Sequence, residues 1–166
     1  MKEFLEGRRL GFAPRSHLAF MAIGLGLAAT LIDLMAWFGW GARDSNAFVI
    51  AAQWLVVSVF VVLGIAAITA VIEYGDIDLE ERGLARVDQG AAILALVLYG
   101  ISAILRSLEL EQAAPSPAPF LLAIAGLVLV IADAGLAANL YSAREWEVLE
   151  DEPVRERHPR RRVAGR

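Results

Sequence analysis

The sequence contains no cysteine and only two histidines. Without cysteine the chain has no disulfide, zinc-thiolate site, iron–sulfur ligand or thiol nucleophile. A haem or metal site usually takes two or more strong ligands, and His17 and His158 lie at opposite ends of the chain. His17 is therefore more typical of an interfacial residue, although it is the one candidate for binding a cofactor. No metal site is predicted.

Motifs that carry chemistry are also missing. The sequence has no phosphate-binding loop, zinc-binding helix motif, nucleophile elbow or calcium loop. Its formal net charge is −4, whereas a nucleic-acid interface needs a basic face. We therefore predict no catalytic residue, no resident cofactor and no nucleic-acid partner, and we expect a protein that is not an enzyme.

Long apolar runs dominate what remains. The 166 residues are 58% hydrophobic with a mean hydropathy of +0.57, whereas soluble domains are close to half apolar. The 15 basic and 19 acidic side chains crowd into the two ends and one central loop. A membrane-spanning helix needs about 20 apolar residues. Four runs meet or approach that length, and they predict spans at about 18–40, 47–74, 90–108 and 120–141.

These spans predict an all-α integral membrane protein, folded as an antiparallel four-helix transmembrane bundle. We expect an N-terminal segment at 1–16, the transmembrane domain at 17–143 and a charged tail at 144–166. The tight polar turn at 41–46 makes the first two spans antiparallel neighbours. The segment 75–89 predicts an acidic loop with a short surface helix, and the prolines within 113–119 predict a non-helical lead into the fourth span.

The distribution of basic residues predicts the orientation. Four Lys or Arg residues precede the first span, two arginines lie in the central loop and seven lie in the tail. The other two connections have only Arg43 and Arg106. Because cytoplasmic segments carry an excess of Lys and Arg, we expect both termini in the cytoplasm of a bacterium, with the bundle in its inner membrane.

Glu73 lies at the cytoplasmic rim of the second predicted span, and two further acidic residues lie deep within predicted spans, where an ionisable group costs about 2.5–3.5 kcal/mol. Asp33 shares a helix face with Gly26, Ala29, Ala36 and Trp37, and Asp133 shares one with Gly126, Val130 and Ala137. Small residues mark contacts between membrane helices, so both acids should face protein. They differ by about 10–15 Å in depth, which is too far for a shared metal or a carboxylate pair.

Arg106 closes the third span on one face with Ala95, Tyr99 and Ser102, and Gln53 enters the second span at a similar level. Asp33, Gln53 and Arg106 are therefore expected to form one polar cluster, with Arg106 neutralising Asp33. Two readings stay open for this cluster. It is either a structural lock, or a site for a ligand or a proton.

Several stretches resemble a family of bacterial four-helix membrane proteins. They are His17-Leu18-Ala19-Phe20 leading to Asp33-Leu34 and Ala36-Trp37, the end of the third span at Ile104-Leu105-Arg106, and the fourth span closing near Gly135 and Leu140-Tyr141. The family is catalogued as domain of unknown function twenty-two thirty-one, and the similarity covers about residues 14–145. Some relatives are joined to Rieske-type redox domains, which implies a place near electron transport.

The chain departs from the family pattern at two positions. The proline that follows the first histidine of the family is missing after His17, and Asp88-Gln89 replaces a histidine at the start of the third span. A haem or metal site that used both histidines would have lost half of its ligands here.

Three functions follow as hypotheses. The first is a non-catalytic accessory or assembly subunit of a membrane complex of the respiratory or another redox type, with the lipid bilayer and either other membrane subunits or itself as partners. The second is a small transporter or proton-conducting protein that uses Asp33 and Asp133. The third is a haem- or quinone-binding redox protein that uses His17.

Overall fold

The described part of the chain is entirely helical. The computed structural model describes residues 14–40, 45–74 and 82–150, with side chains placed at 17–40, 45–71, 83 and 86–136. These residues form α1 (Pro14–Trp37), α2 (Ala47–Tyr74), α3 (Arg82–Ser107) and α4 (Pro117–Glu150), and they include no strand. All four helices are long and apolar enough to cross a membrane. The predicted four-helix transmembrane bundle is confirmed.

The helices pack as a ring. Each helix packs against the next one in the chain, and α1 also packs against α4. The pairs α1 with α3 and α2 with α4 are therefore diagonal across the bundle. We call the end that holds the connections at 38–46 and 108–116 the paired-loop end. The opposite end, where α1 begins and α4 ends, is the terminal end.

Each helix buries one narrow stripe of residues that recur at intervals of three and four. This spacing places small and polar residues in the seams between helices, as in coiled-coil packing. The buried positions are 19, 22, 26, 29, 33 and 36 in α1; 49, 52, 56, 59, 62, 63, 69 and 70 in α2; 88, 95, 99, 102 and 106 in α3; and 119, 120, 123, 126, 127, 130 and 133 in α4.

The outward faces of the helices are as apolar as the seams. Phe20, Leu31, Ile68 and Leu121 each leave at least 60% of their surface exposed. A helix that is hydrophobic all round is typical of a membrane span, because lipid rather than water covers its outer face. The bundle therefore presents a lipid-facing surface around a core that combines apolar, small and a few polar residues.

Helix α1 ends three residues before the predicted limit of its span, because Gly39 terminates it. Gly39 has a φ of +66°, which favours glycine. The N–H of Trp40 donates to the carbonyl of Met35 at 3.0 Å, and the N–H of Gly39 donates to that of Ala36 at 3.1 Å. This pair of bonds is a Schellman motif, which satisfies the last carbonyls of the helix.

The last two helices begin before the predicted third and fourth spans, so the prediction of a separate surface helix is wrong for residues 82–89 and that of a non-helical lead is wrong for residues 117–119. Helix α3 begins at Arg82, so residues 82–89 continue the third span instead of forming a separate surface helix; residues 75–81 lie outside the described chain. Helix α4 begins at Pro117 and includes Pro119. Proline is tolerated there because the N–H groups of a first helical turn have no partner within the helix.

Candidate functional site in the polar core

An ion pair between α1 and α3 lies in the core near the paired-loop end. Arg106 donates from Nη1 to Oδ1 of Asp33 at 2.8 Å and from Nη2 to Oδ2 at 2.5 Å. Each residue is only 1% exposed. Two parallel bonds between a guanidinium and a carboxylate form a bidentate pair, which fixes geometry as well as charge. Because α1 and α3 are diagonal partners, this pair bridges the centre of the bundle.

A third bond extends the pair to α4. Arg106 donates from Nε to Oγ of Ser102 at 3.3 Å, and Ser102 donates from Oγ to the carbonyl of Pro119 at 2.7 Å. Ser102 and Pro119 are both buried. The arginine thereby joins a carboxylate of α1 to the first turn of α4 through one hydroxyl group of its own helix.

The paired-loop end is held by further bonds between the connections and the helix ends. Trp37 donates from Nε1 to the carbonyl of Pro115 at 2.7 Å, and its ring centroid lies 4.5 Å from that of Phe120. Asn46 donates from Nδ2 to the carbonyl of Leu110 at 2.9 Å. The two connections are thus tied to each other and to α1 directly above the ion pair.

The sequence predicts that Gln53 joins the ion pair, but the structure places Gln53 in a different contact. Its Nε2 donates to the carbonyl of Ala103 at 3.1 Å, which ties α2 to α3 one turn before Arg106. Its buried Oε1 has no hydrogen-bond partner. The structure therefore brings Asp33 and Arg106 together and places Gln53 in a separate contact with the backbone of α3.

Tyr99 fills the middle of the core. It is 1% exposed and lies between two glycines, Gly26 of α1 and Gly126 of α4. A Cβ atom added at Gly26 would lie 2.6 Å from the Tyr99 hydroxyl, and one at Gly126 would lie 2.8 Å from Cε2 of the ring. The hydroxyl has no hydrogen-bond partner although it is buried. The two glycines therefore provide the space for this aromatic side chain.

Two acids lie in the half of the bundle near the terminal end. Asp133 of α4 is 7% exposed, a placement that the small residues of its face predict, and Asp88 of α3 is 1% exposed. Sequence reasoning missed Asp88, because the hydropathy of the third span begins only at Gly90. The sequence does contain a sign of its burial. Asp88 lies two helical turns, or seven residues, before Ala95, which places it on the same helix face as Ala95, Tyr99, Ser102 and Arg106.

His17 lies on an exposed face in the first turns of α1. Among the side chains that the structure places, no three of the His, Asp and Glu residues come close enough together to hold a metal ion. Cofactor binding by His17 stays a prediction.

Fold and core together define the chain as a multi-pass helical membrane protein with four charged residues, Asp33, Asp88, Arg106 and Asp133, buried in its core. No family model, curated protein or solved structure matches it. The resemblance to the bacterial four-helix family therefore stays a prediction.

Proposed function

We propose that this protein is a non-catalytic membrane protein that serves as an accessory or assembly subunit of a larger membrane complex. The observation that carries the proposal is the bidentate pair of Asp33 and Arg106. Every donor nitrogen of the guanidinium is engaged with either Asp33 or Ser102. A bidentate pair of buried charges fixes the geometry between the two helices, which supports a structural role.

The packing of the middle of the core supports the same function. Tyr99 occupies the space between α1 and α4, and Val56, Val59 and Leu127 belong to the same buried cluster. A transporter of the alternating type needs a polar binding site near the middle of the membrane. Apolar and aromatic side chains fill that level here, so the bundle is suited to scaffolding.

We place the protein in the inner membrane of a bacterium with both termini in the cytoplasm. The basic residues support this orientation, because they concentrate in the N-terminal segment, the central loop and the tail. The family resemblance favours a complex of the respiratory or another redox type. In this arrangement the paired-loop end faces the outside of the cell.

Copurification after solubilisation in a mild detergent tests the accessory function. We expect the tagged protein of 17.9 kDa to carry a second membrane protein in fixed stoichiometry. Deleting the gene should lower the amount of the assembled partner complex. A chain that purifies alone under several mild conditions, with no change in any membrane complex after deletion, would contradict the proposal.

A proton-conducting or transport function is the second candidate, and the buried acids near the terminal end favour it. Asp88 and Asp133 both lie in the core of that half, and ionisable residues within spans often mark ion pathways. Purified protein in liposomes with an internal pH-sensitive dye separates the two functions. Conduction predicts a proton flux that Asp133→Asn abolishes, whereas a scaffold gives the same trace as empty liposomes.

A further inference from the structure

An apolar groove runs between α2 and α3 on the lipid-facing side of the bundle. Its floor consists of small residues, among them Gly64, Ala67 and Ala92, and its walls include Ile68 and Ile93, which are 60% and 52% exposed. The volume is about 390 Å³. This lies within the range of roughly 300–1,000 Å³ that is typical of small-molecule sites in proteins.

The groove has a definite length because side chains close both of its ends. Toward the paired-loop end the ring of Phe60 fills the gap, since a Cβ atom at Gly100 would lie 3.0 Å from Cε2 of that ring. Toward the terminal end Gln89 donates from Nε2 to the carbonyl of Ala70 at 3.2 Å. Between these closures, a Cβ atom at Gly64 would meet nothing within 4 Å.

A cation lies just beyond the terminal end of the groove. Arg86 is exposed and precedes Gln89 by three residues, so both lie on one side of α3. The apolar span of α2 ends at Val71 and that of α3 begins at Arg86. The apolar composition of the two helices thus predicts that Arg86 lies at the edge of the hydrocarbon layer, near the level of the phosphate groups of membrane lipids.

We propose that this groove binds one phospholipid, with an acyl chain in the groove and the phosphate at Arg86. The apolar lining fits the chain, and the positive charge of the guanidinium complements the phosphate. The lining residues span about 10 Å along the helices. A phospholipid complements both the apolar lining of the groove and the charge of Arg86, whereas an apolar partner helix complements only the lining.

Filling the groove tests the acyl-chain part of the site. Gly64→Leu places a side chain in the open space, and Gly24→Leu is the matched control, because a Cβ atom there also meets nothing within 4 Å and lies on α1. Each variant is purified in mild detergent with added phosphatidylglycerol and examined by native mass spectrometry. We expect one retained lipid on the wild type and on Gly24→Leu, and none on Gly64→Leu.

The charge of Arg86 is tested separately, which keeps the proposal falsifiable if Gly64→Leu fails to fold. Loss of one basic residue near a lipid phosphate predicts about fivefold weaker binding of phosphatidylglycerol to Arg86→Gln. Arg86→Lys should keep most of the affinity, and diacylglycerol, which lacks the phosphate, should bind the wild type and Arg86→Gln equally weakly.

Three results would overturn the site. They are equal lipid retention by Gly64→Leu and Gly24→Leu, unchanged affinity of Arg86→Gln for phosphatidylglycerol, and a photoreactive group at Ile68 that crosslinks to a polypeptide in native membranes instead of to lipid. The last result would assign the groove to a protein partner.

Discussion

The stability of the core near the paired-loop end depends on Arg106. It is buried together with Asp33, and their two charges lie at the centre of the bundle. Desolvating two charges costs several kcal/mol for each ion, and their attraction offsets this cost only when the geometry is good and the remaining donors are satisfied. Asp33 does not contact Nε of Arg106, and this nitrogen donates to the hydroxyl oxygen of Ser102.

A double-mutant cycle tests this dependence. Asp33→Asn and Arg106→Gln each leave one uncompensated charge in the core, so we expect each to lower the free energy of unfolding by about 3–5 kcal/mol. The double variant should recover part of the combined loss, because no charge is then left alone. Thermal unfolding in detergent, followed by circular dichroism, measures all four proteins. Strictly additive losses would mean that the two side chains do not interact.

The packing of α3 against its two partners depends on an aromatic side chain between glycines. Small residues let membrane helices approach closely, and here Gly26 and Gly126 accommodate Tyr99. The contacts differ in kind. The hydroxyl of Tyr99 approaches Gly26, whereas ring carbons approach Gly126. Removing the hydroxyl should therefore relieve one contact and leave the other unchanged.

This difference predicts a selective rescue. Gly26→Ala and Gly126→Ala should each lower stability by about 1–3 kcal/mol through overpacking. Tyr99→Phe alone should be neutral or slightly stabilising, because the hydroxyl is buried without a hydrogen bond. Combined with Gly26→Ala it should restore most of the lost stability, and combined with Gly126→Ala almost none.

Unfolding temperatures in detergent measure the rescue. Gly24→Ala is the control on α1, because an added Cβ there meets nothing within 4 Å. It should be neutral or gain up to about 1 kcal/mol from helix propensity. Equal rescue of both glycine variants by Tyr99→Phe would show that the hydroxyl does not make the contact with Gly26.

The end of α1 is joined to the start of α4 through Trp37. The indole N–H donates to the carbonyl of Pro115, and the ring packs against Phe120. We expect Trp37→Phe to cost about 0.5–1.5 kcal/mol through the lost hydrogen bond, and Trp37→Ala to cost more because the ring contact goes as well. Equal losses for the two variants, measured by unfolding in detergent, would assign the whole effect to the hydrogen bond and none to the ring contact.

The elements that the sequence predicts well are those set by local composition. The predicted second span, 47–74, coincides with α2, because polar residues flank its apolar run closely. The predicted third span begins at residue 90, eight residues after the first residue of α3. Hydropathy marks where a helix enters lipid and not where its backbone hydrogen bonds begin. The proline-rich lead at 117–119 belongs to α4 for a reason that composition alone does not reveal, namely that a first helical turn needs no N–H partner.

The site is predictable only in part. Residue spacing shows which face of a helix a side chain lies on, but it does not show which residue of another helix that side chain contacts. The small residues beside Asp33 indicate burial, and its approximate level indicates Arg106 as a partner. Nothing in the sequence gives the ring order of the helices, which makes α1 and α3 diagonal and places the pair in the centre. The bond from Gln53 to the backbone of Ala103 likewise depends on tertiary packing.

At the scale of the whole molecule, the four spans put both connections of the paired-loop end on one side of the membrane. The chain has no native cysteine, so single cysteines report on single positions without further substitution. Gln112 is exposed in the connection between α3 and α4, and Ser45 lies in the connection before α2. Gly83 is exposed at the start of α3, near the terminal end. Ser116 is less suitable as a probe because its hydroxyl donates to Glu109.

Labelling of these positions in intact cells tests the four-span architecture and its orientation most directly. Ser45→Cys and Gln112→Cys should react with an impermeant thiol reagent added outside, and Gly83→Cys should react only after the membrane is permeabilised. Labelling of Gly83→Cys from outside, with Ser45→Cys protected, would invert the orientation. Opposite behaviour of Ser45→Cys and Gln112→Cys would contradict four crossings of the membrane.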